Sequence, residues 1–541
     1  MAEWDTKNGH WIQMGDQSRG SYQPLNDPAG YQPGLSQPYA PPYAGGPPSQ
    51  TAYGGYQGAG GGGGGGGGYG AGSPWSSQRF KPEKKVQNPI VLILFLAQFI
   101  GFIGLSAWVI YGWIKDGGLS KDLNDANDKG VTLNKQTLYL LLAVTGAALV
   151  ISTIFLLIVR IFTKAILHIT MIFSILLNVA FAGYLFYMKV YVGAIIGAIA
   201  AVLSVLVYFG IWKRIPFASL MLKVVLDVSK HHLAVYVVAF AGLFVQMLLC
   251  VVFVFAAVAT YEKWSTGSDQ CKSSNSCSDG KVAGVIAFEA VSFIWNSQVV
   301  GNVALATMAG GPFGCWYYFG PSNMGGMPSF PTLSAFGRAS TFSLGSIAMG
   351  SLIVTILEVI RLLLNALRNS AQEDGNPCLW CLACCAECFV SWFESMVEYF
   401  NRYAYIQIAL YGKPYVRAAK DTWRMFKDRG IDALVNDSLV NHVIAFGGYC
   451  VGLLCALLSY LYLHFDKPSY NSDGSYTAPV MIFGFLIGLM CSLTLGTSIE
   501  AGVSTIFVGL GEDPQVLAIR SPELFAAVAA TYPQVVRGVG A

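Results

Sequence analysis

The sequence predicts an all-α fold, a polytopic transmembrane helical bundle of about ten helices preceded by a disordered N-terminal tail. Hydrophobic residues make up 54% of the 541 residues and charged residues only 12%, which leaves too little polar surface for a soluble chain of this length. Long apolar runs recur from Pro89 to Leu510. The first run, residues 90–113, contains no charged residue, and about 18 such residues suffice for a helix to cross the hydrocarbon core.

Eight comparable runs follow the first one. They cover about 137–159, 165–188, 190–212, 233–261, 282–309, 339–360, 439–463 and 478–510. Each is long enough to span a bilayer as one helix. Within the last run, Gly484 and Gly488 stand four residues apart, a small-residue spacing that allows close helix–helix approach.

Segment 388–411 is harder to assign, because it is apolar but carries Glu394, Glu398 and Arg402. It either crosses the membrane or lies in the interface as an amphipathic helix. We predict that it crosses, which gives ten crossings. If it lies flat, the 282–319 region must fold as two crossings to keep the number even. Residues 310–338 are broken by Gly and Pro, and such backbone at membrane depth must be covered by protein or water.

The polar ends of the chain define its predicted domains. Residues 1–85 are rich in Gly, Pro and Tyr, with an unbroken glycine run at 60–68. Such a stretch buries too little apolar surface to offset its chain entropy, so we predict a disordered tail. The transmembrane domain is predicted at 86–510 and a short C-terminal tail at 511–541.

The placement of basic residues predicts the orientation. Basic residues cluster at 79–85, directly before the first helix, and again at 413–429. By the positive-inside rule both stretches are cytoplasmic, and an even number of crossings then places both termini in the cytoplasm. The 262–281 loop falls outside, where oxidising conditions allow a Cys271–Cys277 disulfide. Two unpaired thiols are the alternative.

Five further cysteines lie close together in the sequence, directly before segment 388–411 and at its first residue. Their CxxC spacings also occur in zinc sites, but no second CxxC or histidine pair accompanies them. Cysteines beside a membrane helix are typical S-palmitoylation targets. Lipidation or plain helix packing is therefore favoured over zinc or a disulfide. The lipidation candidates are Cys378, Cys381, Cys384, Cys385 and Cys388.

Two acidic residues stand out inside the apolar runs, Glu289 and Glu500. A carboxylate at membrane depth is costly and is therefore a functional candidate. The alternative is a structural acid paired with a neighbouring helix. Around Glu289 the run also offers Trp295, Asn296 and Gln298, so polar groups and an aromatic ring share one helix that could line a path.

Several motifs in the C-terminal half resemble the choline transporter-like family, and in particular its fungal plasma-membrane members. They are WYYF at 316–319, the stretch at 333–361, CLWCLACCAEC at 378–388, FNRYAYIQIALYGKPYVRAAKDTW at 400–423 and TSIEAGVSTIFVGLGEDP at 497–514. The N-terminal half matches only in layout. Glu500 stands where the family motif has a Glu. The first outer loop is shorter than in vertebrate members, so functions of that loop are not carried over.

The resemblance implies a transporter of choline or a related small organic cation in the plasma membrane. A quaternary ammonium is recognised by aromatic faces and a counter-charge. The candidate substrate-binding residues are Glu289, Trp295, Asn296, Gln298 and Glu500. The expected partners are the small cation and the lipid bilayer, with no nucleic acid, no metal and no cofactor.

Enzyme classes find little support, because the chain has no Walker, GxSxG or HExxH motif and only six His. Two other classes stay open beside the transporter: a structural or regulatory membrane protein without transport activity, and a channel. A transporter predicts acids and broken helices close together at membrane depth. Glu289, Glu500 and the break at 310–312 suggest that arrangement.

Overall fold

A computed structural model describes residues 2–5, 10–13, 80, 85–115, 135–266, 277–320, 327–429, 432–466, 471, 474 and 476–531. The chain divides into two units, residues 1–67 and 68–541. In the first unit, strands β1 (Ala2–Asp5) and β2 (His10–Gln13) pair antiparallel, with Ala2 opposite Gln13. Most of the predicted disordered tail lies outside the described residues, so its disorder stays a prediction.

The second unit is helical wherever it forms regular structure in the described ranges. Its helices are α1 (Pro89–Lys115), α2 (Lys135–Ile161), α3 (Thr163–Tyr187), α4 (Tyr191–Ile211), α5 (Ile215–His231), α6 (Ala234–Trp264), α7 (Asp279–Met308), α8 (Gly314–Phe319), α9 (Pro331–Ser340), α10 (Leu344–Glu373), α11 (Pro377–Tyr411), α12 (Tyr415–Arg429), α13 (Asp432–Asp466), α14 (Thr477–Glu512), α15 (Pro514–Arg520) and α16 (Pro522–Thr531). A short 3₁₀ turn, Trp212–Arg214, joins α4 to α5.

Ten segments of the described chain are long and apolar enough to span a membrane. They lie on α1, α2, α3, α4, α6, α10, α11, α13 and α14, with one more running from α7 through α8. The predicted all-α bundle of ten spans is confirmed, and segment 388–411 forms most of the long helix α11. The outer faces carry exposed apolar side chains such as Ile196 and Phe209, at 62% and 67% exposure, as expected for a surface in contact with lipid.

Close packing of α13 on α14 depends on glycine. A Cβ atom at Gly488 of α14 would lie 2.8 Å from the Cys455 Sγ and 2.9 Å from the Val451 carbonyl oxygen, both on α13. Small residues allow such close approach between membrane helices, where dispersion contacts replace the hydrophobic effect as the driving force. The predicted Gly484–Gly488 packing signal is therefore confirmed, because Gly484 also faces α13 at Ser459.

A buried polar network fixes the beginning of α1 to three other helices. Asn88 adopts a left-handed backbone with φ of 51°, a conformation that Asn tolerates better than most residues. Its side-chain oxygen accepts from the Ser346 hydroxyl (2.8 Å) and the Tyr415 N–H (3.2 Å). The Tyr415 hydroxyl donates to Asn401 at 2.6 Å, and Asn401 donates to the Gly350 carbonyl at 3.2 Å. Elements α1, α10, α11 and α12 thus meet at one end of the bundle.

The region after residue 510, predicted as a short tail, begins with the two short helices α15 and α16. Their buried residues Leu517, Leu524 and Val528 belong to the main hydrophobic cluster of the bundle. Residues 532–541 lie outside the described ranges. The first ordered part of this segment is therefore held by ordinary core packing.

We expect Gly488→Ala to destabilise the protein by about 1–3 kcal/mol, because the added methyl group overlaps a backbone carbonyl that cannot move cheaply. Thermal unfolding of the purified protein in detergent measures the effect. Gly146→Ala is the matched control on another membrane helix, since its added methyl group would have no described neighbour within 4 Å outside its own helical turn. That variant should gain up to about 1 kcal/mol from helix propensity. Equal stability of both variants would contradict the close α13–α14 contact.

Candidate functional site

A cavity of about 360 Å³ lies between α6, α7, α11 and α14. Several wall positions carry glycine or alanine, and these small residues leave the space between the facing helices open. Its wall consists of Ala239, Gly242, Leu243, Gln246, Gly301, Ala304, Leu305, Met308, Arg402, Met490, Leu493, Thr494, Thr497, Glu500 and Ala501. The volume is within the usual range for small-molecule sites.

The charged part of this wall is an ion pair between two helices. The Arg402 Nη2 of α11 lies 3.2 Å from the Glu500 Oε2 of α14, and the two side chains are 24% and 19% exposed. Glu500 is 12 residues before the end of α14 at Glu512, or about 18 Å along the helix axis. The pair therefore lies deep in the predicted span, where each charge needs compensation.

The uncharged polar groups of the wall present mainly hydrogen-bond acceptors. The Thr494 and Thr497 hydroxyls donate within α14, to the carbonyls of Met490 and Thr494, both at 2.8 Å. The Gln246 side-chain nitrogen donates to the Ser297 carbonyl at 3.0 Å. Their oxygen lone pairs remain for a molecule in the cavity. These oxygen atoms present partial negative charge to a molecule in the cavity, and the wall therefore suits a cation.

The predicted break in the helix lies beside this cavity. After Met308, a wall residue, the backbone forms a π-helical turn over Ala309–Phe313 with Gly311 outside helical φ/ψ values and Pro312 inside it. The Arg338 guanidinium donates to the Gly310 carbonyl at 2.9 Å, which satisfies one backbone group that the break releases. Burial lowers the pKa of Arg338 from its ordinary value.

Arg402 and Glu500 belong to a larger group of charges on α10, α11 and α14. Arg361 Nε of α10 lies 3.0 Å from Glu394 Oε2 of α11. Glu398 of α11 has Glu358, Arg402 and Arg361 as its electrostatic neighbours. The group therefore has four carboxylates and two guanidinium groups. When all are ionised its net charge is negative by two, which favours the presence of a further cation.

Sequence reasoning identified Glu500 but did not join it to Arg402, Glu398 and Glu358. One signal was present in the sequence. Glu394, Glu398 and Arg402 follow each other at four-residue intervals, which places them on one face of a helix. That spacing indicated a charged stripe on α11, although the identity of the facing helices came only from the fold.

The other predicted substrate-binding residues lie outside the wall of this cavity. Glu289 is completely buried in α7, and neither carboxylate oxygen has a hydrogen-bond partner among the described residues. It is 12 residues from the wall residue Gly301, or about 18 Å along the helix. Gln298 lies within hydrogen-bonding reach of Glu398. It therefore adjoins the charged group, whereas Glu289 is separate from it.

Trp295 and Asn296 lie at a second cavity, which is apolar and has a volume of about 480 Å³. Asn296 lines that cavity, and neither polar atom of its side chain has a partner among the described residues. The Trp295 indole N–H donates to the Ala348 carbonyl at 3.1 Å, and its ring packs on Phe95 with centroids 5.4 Å apart. No aromatic residue is among the described residues that line the Glu500 cavity.

The described residues include only some of the cysteines for which the sequence predicts a disulfide or lipidation. Cys271 lies outside the described residues, so the Cys271–Cys277 disulfide stays a prediction. The five clustered cysteines, residues 378–388, are free thiols in the first turns of α11, and four of them are exposed. Among the described residues, no group of three or more His, Cys, Asp or Glu has the arrangement of a metal site. Lipidation of this cluster stays a prediction.

Comparison with known proteins agrees with the resemblance in the C-terminal motifs. A family described as plasma-membrane choline transporter matches residues 195–515. Protein PNS1 of Cryptococcus neoformans var. neoformans serotype D is 50% identical over 469 residues, which cover 86% of this chain and 85% of that protein. Protein PNS1 of Mycosarcoma maydis is 41% identical over 467 residues, covering 86% and 87% of the two chains.

A third relative extends the match over nearly the whole length. Protein PNS1 of Gibberella zeae is 38% identical over 516 residues, which cover 95% of this chain and 94% of that protein. The family match spans the break after Met308 and the residues Arg402 and Glu500. A ten-span helical bundle with this match belongs to the choline transporter-like family.

Proposed function

We propose that this protein carries choline or a related small organic cation across the plasma membrane, through the cavity that Glu500 lines. The observation that carries the proposal is the chemistry of the cavity wall. A carboxylate at membrane depth is combined with hydroxyl and amide oxygens that act as acceptors. A wall of this kind lowers the energy of a cation and offers nothing to an anion except Arg402.

The apolar part of the same wall suits a methylated ammonium group. Two thioethers, Met308 and Met490, line the cavity, and a thioether is a soft, polarisable group that adapts to irregular apolar shapes. The positive charge of a quaternary ammonium is spread over its methyl groups, which need polarisable contacts more than hydrogen bonds. The two thioethers take the place of the aromatic faces that the sequence analysis expected beside the carboxylate.

The neighbouring break supports transport over a purely structural role. Broken helices beside a site at membrane depth are a common feature of secondary transporters, because the ends of the half-helices are free to rearrange. Here the turn Ala309–Phe313 begins directly after a wall residue. A structural protein would gain nothing from a cavity, an interrupted span and an excess of carboxylates at the same depth.

Uptake of radiolabelled choline into proteoliposomes tests this function. Wild-type protein should take up choline above the level of protein-free vesicles. Glu500→Gln should reduce uptake at low choline concentration about tenfold or more, because a carboxylate about 4 Å from a cation contributes up to about 4 kcal/mol at an effective dielectric constant of about 20. Elution as a single species on size exclusion confirms that the variant is folded.

Glu387→Gln is the matched control for this experiment. It removes another carboxylate of α11 that contacts an arginine of α10, with 2.6 Å between Arg368 Nη1 and Glu387 Oε2, and it lies outside the cavity wall. Its uptake should equal that of the wild type. Normal uptake by the Glu500→Gln variant would identify Glu500 as a structural acid and contradict the proposed site.

We also propose that both termini lie in the cytoplasm. The even number of spans and the basic residues at 79–85 and 413–429 support this orientation. An epitope tag placed after Ala541 should be protected from added protease in intact cells and cleaved after permeabilisation. A tag inserted in the 262–281 loop should be cleaved in intact cells. The reverse pattern would contradict the orientation.

A further inference from the structure

We infer that Arg402 is a resident cation that competes with the substrate for Glu500 and moves to Glu398 when the substrate binds. The inference rests on the proposed function, because it assigns the cationic substrate to the Glu500 cavity. In this inference Arg402 sets the affinity of the cavity for its substrate and positions the Glu500 carboxylate. It also explains why a site for cations contains a permanent cation in its own wall.

The first step is the position of the guanidinium. Arg402 and Glu500 both line the cavity, and they contact each other at 3.2 Å. A cationic substrate that reaches the Glu500 carboxylate therefore meets a cation already in place. In a desolvated site two cations beside one carboxylate repel each other strongly. Substrate binding and the Arg402–Glu500 contact thus oppose each other.

The second step is the existence of another carboxylate for Arg402. Glu398 lies one turn earlier on the same helix, and residues four apart on a helix face each other, with Glu before Arg in the favourable order. Arg402 is already an electrostatic neighbour of Glu398. The long arginine side chain therefore reaches Glu398 by a change of rotamer, without any movement of α11 or α14.

The third step is that Glu398 gains from receiving Arg402. Its neighbour Glu358 carries the same negative charge, and its other cationic neighbour, Arg361, lies 3.0 Å from Glu394. Movement of Arg402 toward Glu398 therefore adds positive charge where two carboxylates repel each other. The substrate cation then supplies Glu500 with the positive charge that Arg402 provided before it moved. The exchange keeps both Glu398 and Glu500 close to a cation, which lowers the cost of two carboxylates in the same group.

An aromatic ring lies beside the guanidinium. The Arg402 Cζ is 5.9 Å from the centroid of the Tyr399 ring, which is within the range of a cation–π contact. Tyr399 is one residue after Glu398 and on the same helix as Arg402. A contact of this kind lowers the cost of the intermediate position, in which the guanidinium has left Glu500 but has not yet reached Glu398.

The test measures cation binding through thermal unfolding of the full-length protein in lipid nanodiscs, with choline and methylguanidinium as probes. A ligand that binds the folded state raises its stability according to its concentration and Kd. Arg402→Gln should bind both probes about tenfold more tightly than the wild type. In this variant Glu500 is not occupied by a guanidinium, so the state that can bind the probe is always populated. Adding Glu500→Gln to this variant should abolish the gain.

Arg368→Gln is the matched control, since it removes an arginine of α10 that contacts Glu387 of α11 at 2.6 Å, away from the cavity. Its affinity for both probes should equal that of the wild type. If Arg402→Gln binds neither probe more tightly than the wild type does, the inference is wrong. If it gains affinity for methylguanidinium alone, the resident cation is supported and choline as the substrate is contradicted.

Glu398→Gln alone gives an answer that does not depend on the folding of Arg402→Gln, and the double variant adds a second answer where it folds. Without Glu398 the guanidinium stays on Glu500, so choline affinity should fall about tenfold. In the Arg402→Gln background the same change should have little effect, which is the signature of coupling through Arg402. Unchanged affinity in Glu398→Gln would overturn the inference. An equal loss in both backgrounds would also overturn it, because Glu398 would then contact the cation directly.

Discussion

The ion pair between Arg402 and Glu500 is the interaction on which the interior of this bundle depends. It joins α11 to α14 deep in the predicted span, where each charge needs compensation. Both residues also belong to the cavity wall, so the same contact joins two helices and occupies the carboxylate that we propose as the substrate site. A bundle with four carboxylates and two guanidinium groups at this depth is stable only while each acid has a cation nearby.

The helices around this pair are held by two different kinds of contact. On one side, glycines such as Gly488 bring α14 against α13 at backbone distance, which gives a rigid, closely packed surface. On the other side, the π-helical turn Ala309–Phe313 interrupts the span that follows the cavity. In the transport that we propose, rigid support on one face and interrupted backbone on the other would let one wall of the cavity move while the opposite wall keeps its geometry.

The two cavities have contrasting chemistry although they lie close together. Gly242 of α6 and Ala304 of α7 line both of them, and a Cβ atom at Gly242 would lie 3.3 Å from the Ala304 Cβ. This contact between small residues separates the Glu500 cavity from the apolar one that Asn296 lines. The charged group therefore faces one side of α6 and α7, and the Asn296 amide faces the other.

The sequence alone determined the membrane class, the ten spans and the break at 310–312, and it identified Glu500 as a candidate site residue. Hydropathy and Gly/Pro breaks are local properties of the sequence, and a carboxylate is costly in any membrane span. These features can therefore be predicted without knowledge of the tertiary structure. Only the tertiary structure decided that Arg402, 98 residues earlier in the chain, is the partner of Glu500. It likewise directed the Trp295 indole to Ala348 and left Glu289 apart from the cavity. The reason is that the rotation and neighbours of each helix depend on how all the helices pack, which no local pattern of residues contains.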